Sequence, residues 1–389
     1  MLYIDFGVSM ATGLNGVGFR AWELGSALAH YEDVLVITPD VPHADIQETW
    51  SDTPWQTQDE TIRKTPARRD IYLFGFATPV DSIRRFKEAG AICIFDAIVW
   101  PLEYTTYQRV HDAADPVSKY SGLLDEYLTR LRMADGYLVA SEVEKQVLTG
   151  MLTTCRFDLL LEPSRNMSLD DLFCQLPVGF SDINERTRWK KPPSRDATGP
   201  DFVWNGGLWN HYSPVTAVRG LRALLEAGQE ATLWFLYPQR GTPTAAYRAV
   251  QEAVAEDRRL AHLVTFCRGG LSLADRITVM ETARAALCLY EPHVLWDLCP
   301  PMRLRETVLY ELPIVAPRRG ALGDLVTAHG IGATTPSLAV DDVAAAMLSC
   351  LDDETASQRQ AAARAAAENY RYEALMPTVA AWLDKARAR

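Results

Sequence analysis

Short apolar runs alternate with amphipathic stretches along nearly the whole chain. In the first third, Leu2–Phe6, Val34–Ile37, Ile71–Phe74, Ile92–Phe95 and Tyr137–Ala140 have strand length, and Phe19–Ala29 reads as a helix. Between the last two strands, Leu123, Leu124, Tyr127, Leu128 and Leu131 recur at helical period and predict a helix over Ser121–Met133. Strands alternating with helices build βαβ units, which imply a mainly parallel sheet.

The pattern breaks at 182–200 into a charged, proline-containing segment, with Lys190-Lys191-Pro192-Pro193 and then Gly199-Pro200. We read 186–200 as a linker. Beyond it the alternation restarts. Strands are predicted at Phe202–Trp204, Thr232–Leu236, Leu263–Phe266, Ala286–Tyr290 and Ile314–Ala316. Helices are predicted at Val215–Ala227, Tyr247–Ala255, Leu273–Arg284 and Arg303–Tyr310. The alanine-rich end predicts three more, over Asp341–Leu351, Thr355–Ala367 and Tyr372–Ala386. The expected division is a domain over 1–185, a second over 201–368 and a closing helical segment over 369–389. At 389 residues the chain exceeds one comfortable core. Two such α/β domains also serve periplasmic-type binding proteins and some epimerases, so architecture alone names no activity.

Composition narrows the classes. Hydrophobic content of 48% and charged content of 23% are those of an ordinary soluble globular protein. A formal net charge of −11 opposes binding to nucleic acid, whose phosphates need Lys and Arg, and gives no encouragement to anionic membranes. There is no apolar run long enough for a transmembrane segment, and Met1-Leu2-Tyr3-Ile4-Asp5 lacks the features of a secretory signal. The 7 cysteines are scattered without C-x-x-C spacing, which suits free thiols in a cytoplasmic protein. The histidines show neither H-x-x-x-H nor H-E-x-x-H spacing, so no metal site and no cofactor is expected.

The chemistry concentrates between Met302 and Asp324. There a charged patch with Arg303 and Glu306 precedes an apolar strand led by Pro313, and the turn Arg318-Arg319-Gly320-Ala321-Leu322-Gly323 follows. In open α/β sheets ligands bind beyond the carboxyl ends of strands, where such turns sit. A carboxylate there accepts hydrogen bonds from ribose hydroxyls, and an arginine neutralises phosphate. A helix starting at the Gly320 turn adds partial positive charge suited to a diphosphate. Two further glycine turns follow strands: Gly13-Leu14-Asn15-Gly16-Val17-Gly18-Phe19-Arg20 and Trp204-Asn205-Gly206-Gly207-Leu208-Trp209. The first does not match G-x-G-x-x-G, which argues against a nicotinamide site. In the second, paired glycines let the chain turn closely beneath a diphosphate. In Phe95-Asp96-Ala97-Ile98-Val99-Trp100-Pro101-Leu102-Glu103, an aromatic beside carboxylates suits a sugar or cyclitol. A capped turn with a core tryptophan fits the same residues.

The Met302–Asp324 block, the Gly206-Gly207-Leu208 turn and the Arg268-Gly269-Gly270 turn together resemble the GT-B glycosyltransferases, specifically their GT4-like branch. The resemblance spans nearly the whole chain. It implies an α/β GT-B fold, two Rossmann-like parallel-sheet domains facing a central cleft, with the last helix packing back on the first domain. Donor binding would fall to Gly206, Gly207, His211, Arg268, Arg303, Glu306, Gly320, Ala321 and Leu322. Acceptor binding would fall to Gly16, Gly18, Arg20, Asp96 and Trp100. Asp96, Glu103 and Arg303 would be catalytic.

The chain departs from the family twice. Family members present two glutamates eight positions apart; Glu306 matches the second, seven residues before Pro313, but Leu298 stands at the first. The phosphate-binding basic residue after the glycine pair is replaced by Asn210-His211-Tyr212, leaving His211 as the nearest substitute. The implied activity is transfer of a glycosyl unit from a nucleoside-diphosphate sugar to a small-molecule or glycan acceptor hydroxyl, retaining and metal-independent. The leaving phosphate would receive the acceptor proton. A pseudo-glycosyltransferase joining a cyclitol, or an inactive homologue serving as a binding partner, shares these motifs. A homo-oligomer is left open.

Overall fold

The apolar runs become parallel strands in two sheets. The computed structural model describes residues 1–11, 16–62, 66–156, 158, 168–182, 199–237, 243–269, 271–298 and 300–388. Thr12–Asn15 of the first glycine loop, Gly270 and most of the linker over 186–200 lie outside the described residues.

The first sheet has seven strands: β1 (Leu2–Asp5), β2 (Val34–Thr38), β3 (Trp55–Thr57), β4 (Ile71–Phe74), β5 (Ile92–Asp96), β6 (Gly136–Val139) and β7 (Phe173–Gln175). Their order is β3-β2-β1-β4-β5-β6-β7, every pair parallel. Leu2–Asp5, Val34–Thr38 and Ile71–Phe74 are buried along their whole length, because helices cover a parallel sheet on both faces. The order reverses between β1 and β4, and the chain is drawn tight there. Gly7 takes φ +66°, and a side chain on it would collide with the Ala77 carbonyl.

The second sheet has six strands: β8 (Phe202–Trp204), β9 (Leu233–Phe235), β10 (Val264–Phe266), β11 (Ala285–Leu287), β12 (Ile314–Pro317) and β13 (Gly332–Thr335). They run β10-β9-β8-β11-β12-β13, again all parallel. Its core packs Phe202, Trp204, Leu233, Phe235, Leu287 and Val315 against Leu221 and Leu224 of the helix Pro214–Glu226. The expected strand Ala286–Tyr290 ends at Leu287, and the expected helix Leu273–Arg284 ends at Thr282.

Contacts divide the chain into two compact units. One comprises Met1–Thr105, Asp112–Thr187 and Asn369–Arg389; the other comprises Thr106–His111 and Arg188–Glu368. The helix Tyr372–Ala388 therefore belongs to the first unit. Phe180 exchanges backbone hydrogen bonds with Tyr370 and Tyr372, and a side chain on Gly179 would fall on the Tyr370 carbonyl. Trp382 donates to the Asp171 carbonyl at 2.9 Å, and Arg387 pairs with Glu32.

The first unit is held at one point by Arg20, fully buried on the helix Gly16–Leu28. A guanidinium has five N–H donors, and here all five are used. Nε and Nη2 grip the Asp96 carboxylate at 2.9 and 3.0 Å, and Nη2 also reaches the Leu176 carbonyl. Nη1 reaches the Pro177 carbonyl and the Tyr372 hydroxyl. This corrects the expectation that Arg20 and Asp96 face an acceptor: their hydrogen-bonding capacity is consumed inside the fold. Trp100 is corrected likewise. It is 2% exposed, and its indole nitrogen donates to Glu144 at 3.2 Å, so it is the core tryptophan of the rival reading. Gly18 packs on the Met10 thioether with no room for a side chain, while Gly16 is exposed at the helix start.

Removing one partner of a buried pair leaves an uncompensated charge. Arg20→Met is expected to destabilise the protein by about 3–5 kcal/mol in denaturant melts. A change below about 1 kcal/mol would show that Asp96 finds water or another cation.

Candidate functional site

A doubly wound sheet offers a crevice where its strand order reverses, beyond the carboxyl ends of the two central strands. In the second unit that point lies between β8 and β11. The chain leaves β8 through Asn205, Gly206 and Gly207, and leaves β11 through Cys288, Leu289 and Tyr290. The two exits are tied together by Ser213 N–H donating to the Leu289 carbonyl at 2.8 Å.

Into this point projects Arg303, the residue before the helix Leu304–Leu309. Its guanidinium carbon lies 4.5 Å from the Trp204 ring centroid and 4.1 Å from that of Tyr212. Nη2 donates to the Gly207 carbonyl at 3.0 Å. Gly206 is glycine for a steric reason: a Cβ there would stand 2.8 Å from Nη2. Nη1 is buried and has no hydrogen-bond partner among the described residues. Beside it, Asn205 is 6% exposed, and both its amide oxygen and its amide nitrogen are equally unpartnered.

The comparison with the other buried arginines is decisive. Arg20 is matched by Asp96, Arg130 by Glu126, and Arg276 and Arg305 by Glu306. Among the buried arginines of the described residues, Arg303 alone has no carboxylate. Stacking on aromatic faces offsets part of the cost of burying a cation, about 2 kcal/mol when desolvated, but leaves the charge uncancelled.

An aromatic cluster carries the surrounding loops. Trp296, 5% exposed on the short helix Val294–Leu298, lies 4.6 Å from Tyr290, 5.1 Å from Tyr212 and 5.6 Å from His211, centroid to centroid. Its carbonyl faces Gly320, where a Cβ would approach to 2.9 Å; Gly320 has φ +91°. From Gly320 starts the helix Ala321–His329, with Leu322 fully buried. Trp296 thus joins the loops after β8, β11 and β12.

His211 is half-buried, with Nδ1 2.9 Å from the Thr106 hydroxyl. Burial, aided by Arg303 and His293, lowers its pKa to about 3. The imidazole is therefore neutral. It does not supply the missing positive charge expected of it; one ring nitrogen is engaged with Thr106 and the other is left to meet a ligand.

Glu306 also departs from expectation. Its side chain is 7% exposed and paired with both Arg276 and Arg305. Burial alone would raise its pKa, but the two arginines outweigh that and hold it lowered, so it is ionised. The carboxylate is spent on internal cations and is not open to a ribose. Arg268 is exposed at the end of β10, the edge strand, and is not brought to the β8–β11 point. In the first unit, Glu103 is half-buried on the helix Pro101–Tyr104, and burial raises its carboxyl to about 7. No group of three or more His, Cys, Asp or Glu among the described residues could hold a metal, and none of their helices is long and apolar enough to cross a membrane.

Sequence reasoning passed over Asn205, Trp204, Tyr212 and Trp296. Their one available signal was an asparagine between an aromatic strand end and a glycine pair.

No family model and no curated protein matches the chain. Solved structures do. Anabaena HepE in complex with UDP is 14% identical, with a TM-score of 0.61 over 99% of each chain. The catalytic domain of starch synthase IV from Arabidopsis thaliana, bound to ADP and acarbose, is 12% identical, with a TM-score of 0.60 over 100% of this chain and 99% of that one. The trehalose-6-phosphate phosphatase N-terminal domain of Candida albicans is 11% identical, with a TM-score of 0.64 over 99% of this chain and 96% of that one. The fold is thus the GT-B one: two Rossmann-like, parallel-sheet domains in succession.

His211 supplies a pH test. In the native protein its ring is expected to protonate near pH 3, followed by imidazole NMR resonances. The unfolded chain takes up that proton at about 6.5. More protons bind the unfolded state in this window, so stability falls as pH drops below about 6.5. His211→Gln should flatten that slope, and a native titration near 6.5 would overturn the assignment.

Proposed function

We propose that this protein is a glycosyltransferase of the GT4-like branch. It moves a glycosyl unit from a nucleoside-diphosphate sugar to an acceptor hydroxyl, with retention and without a metal. One observation carries the reading: a buried, permanently charged guanidinium, without a carboxylate, stands at the point where a doubly wound sheet receives its ligand. Such a cation calls for an anion, and Nη1 is the open donor. The neighbours bound to UDP and to ADP share the fold, which agrees with a diphosphate as that anion.

The missing basic residue after the glycine pair then finds an account. The turn after β8 lacks its basic residue, and Arg303 reaches over the glycine pair to the place such a residue would serve. Charge developing on the departing diphosphate would meet Arg303, the His211 ring, the Asn205 amide and the helix start at Gly320-Ala321-Leu322. Preorganised donors in a water-poor site stabilise such charge strongly. Glu306 braces Arg276 and Arg305 in this scheme, so its truncation costs stability. Glu103, with a carboxyl poised near neutrality, is the acceptor-side group we retain from the first unit.

A thermal-shift panel of UDP, GDP, TDP and ADP should single out one base, because saturating ligand at 100 Kd adds about 2.7 kcal/mol. Arg303→Ala and Arg303→Lys should each weaken that nucleotide about tenfold or more, since lysine lacks the flat, stacking fork. Unchanged affinity in both variants would sink the assignment. With a donor in hand, the anomeric configuration of the product decides retention. Glu103→Gln should lower kcat and remove an ionisation near pH 7 from its profile; an identical profile removes Glu103 from the mechanism.

A further inference from the structure

The Gly206–Gly207 turn is flanked on both sides. Arg303 occupies the space a side chain on Gly206 would fill, and the indole of Trp209 occupies the space of one on Gly207. A Cβ on Gly207 would stand 2.7 Å from both Nε1 and Cε2 of Trp209 and 3.0 Å from Cζ2. Gly207 does not take a positive φ, so its backbone conformation does not require glycine. The ring lying against the turn occupies the space a side chain would take there. Yet Trp209 is 45% exposed and pairs with no other ring among the described residues, while Trp204, Tyr212 and Trp296 nearby pack edge-on or tilted against one another or face Arg303. The turn thus seats an indole whose remaining surface stays in solvent.

Resting on the glycosyl-transfer reading, we propose that Trp209 is a stacking platform for the apolar face of a pyranose ring, and so a specificity-determining residue. A pyranose presents axial C–H groups of slight positive charge on one face, and the indole presents a negative π face. An indole already lying against the turn that also carries Arg303 has less freedom to lose on binding than one free in solvent. The sugar could be the one attached to the diphosphate or one in the acceptor. The chemistry of the contact is the same for both.

The test uses the full-length protein, with Trp209→Ala and Trp209→Phe, and reads saturation transfer from aromatic protons to ligand protons by NMR. The donor arm uses UDP-glucose and ADP-glucose beside UDP and ADP; the acceptor arm uses maltose and cellobiose. In one arm, pyranose C–H protons should receive saturation in the wild type and in Trp209→Phe and lose it in Trp209→Ala. Affinity for that ligand should fall about two- to tenfold, the range of an aromatic stacking contact, and the signals of free UDP and ADP should persist unchanged. A pyranose signal undiminished in Trp209→Ala, or nucleotide signals without any pyranose signal in the wild type, overturns the role of Trp209 alone. Absence of every nucleotide and sugar signal in the wild type overturns both this role and the glycosyl-transfer reading.

Discussion

A charge removed from water without a counter-charge is the constraint around which the second unit is arranged. Burying an isolated cation costs several kcal/mol even after the surroundings relax. The chain meets that cost at Arg303 with two aromatic faces and one carbonyl, and no carboxylate. The arrangement dictates its neighbours. Gly206 has no side chain because the guanidinium lies there, and Tyr212 and Trp204 are placed as its walls. Trp296 then fixes Tyr212 and carries the Gly320 turn on its carbonyl. A protein selected for stability alone would pair or remove such a cation, as this one does with Arg20, Arg276 and Arg305.

The fold was largely legible from periodicity. Parallel strands buried on both faces are continuous apolar runs, and those of β1, β4 and β8 stand out without ambiguity. What escaped were elements too short or too mixed for a period to register. Trp55-Gln56-Thr57 is half-buried, and the three residues of Phe173-Cys174-Gln175 alternate too briefly to be told from a loop. The helices Val80–Glu88 and Glu142–Cys155 were also passed over, although Ser141 caps the second through the Glu144 amide.

The site was legible in place but not in detail. Motif position drew attention to Arg303, Glu306 and the glycine turns, and the structure sets Arg303 against Gly206 and Gly207. It did not reveal which charged groups are already paired. Arg276 reaches Glu306 and Arg20 reaches Asp96 across separations that no local pattern encodes. A carboxylate at the right register and a carboxylate free to bind are distinguished only by such long-range pairings. The same holds for His211, whose neutrality comes from burial and from Arg303 nearby.

The path of the chain through the first unit has a bearing on biosynthesis. Arg20 and the Tyr372 hydroxyl it holds are 352 positions apart. At ribosomal rates of about 5–20 residues per second, that interval amounts to roughly 20–70 s of translation. During it, the amino-terminal sheet stands without its last helix and its innermost cation lacks one acceptor. The carboxyl-side sheet, whose last strand β13 is complete by Thr335, has all its strands made before the older unit has its last helix. The amino-terminal unit is therefore completed only once the last helix has emerged, after the whole of the second sheet has been made.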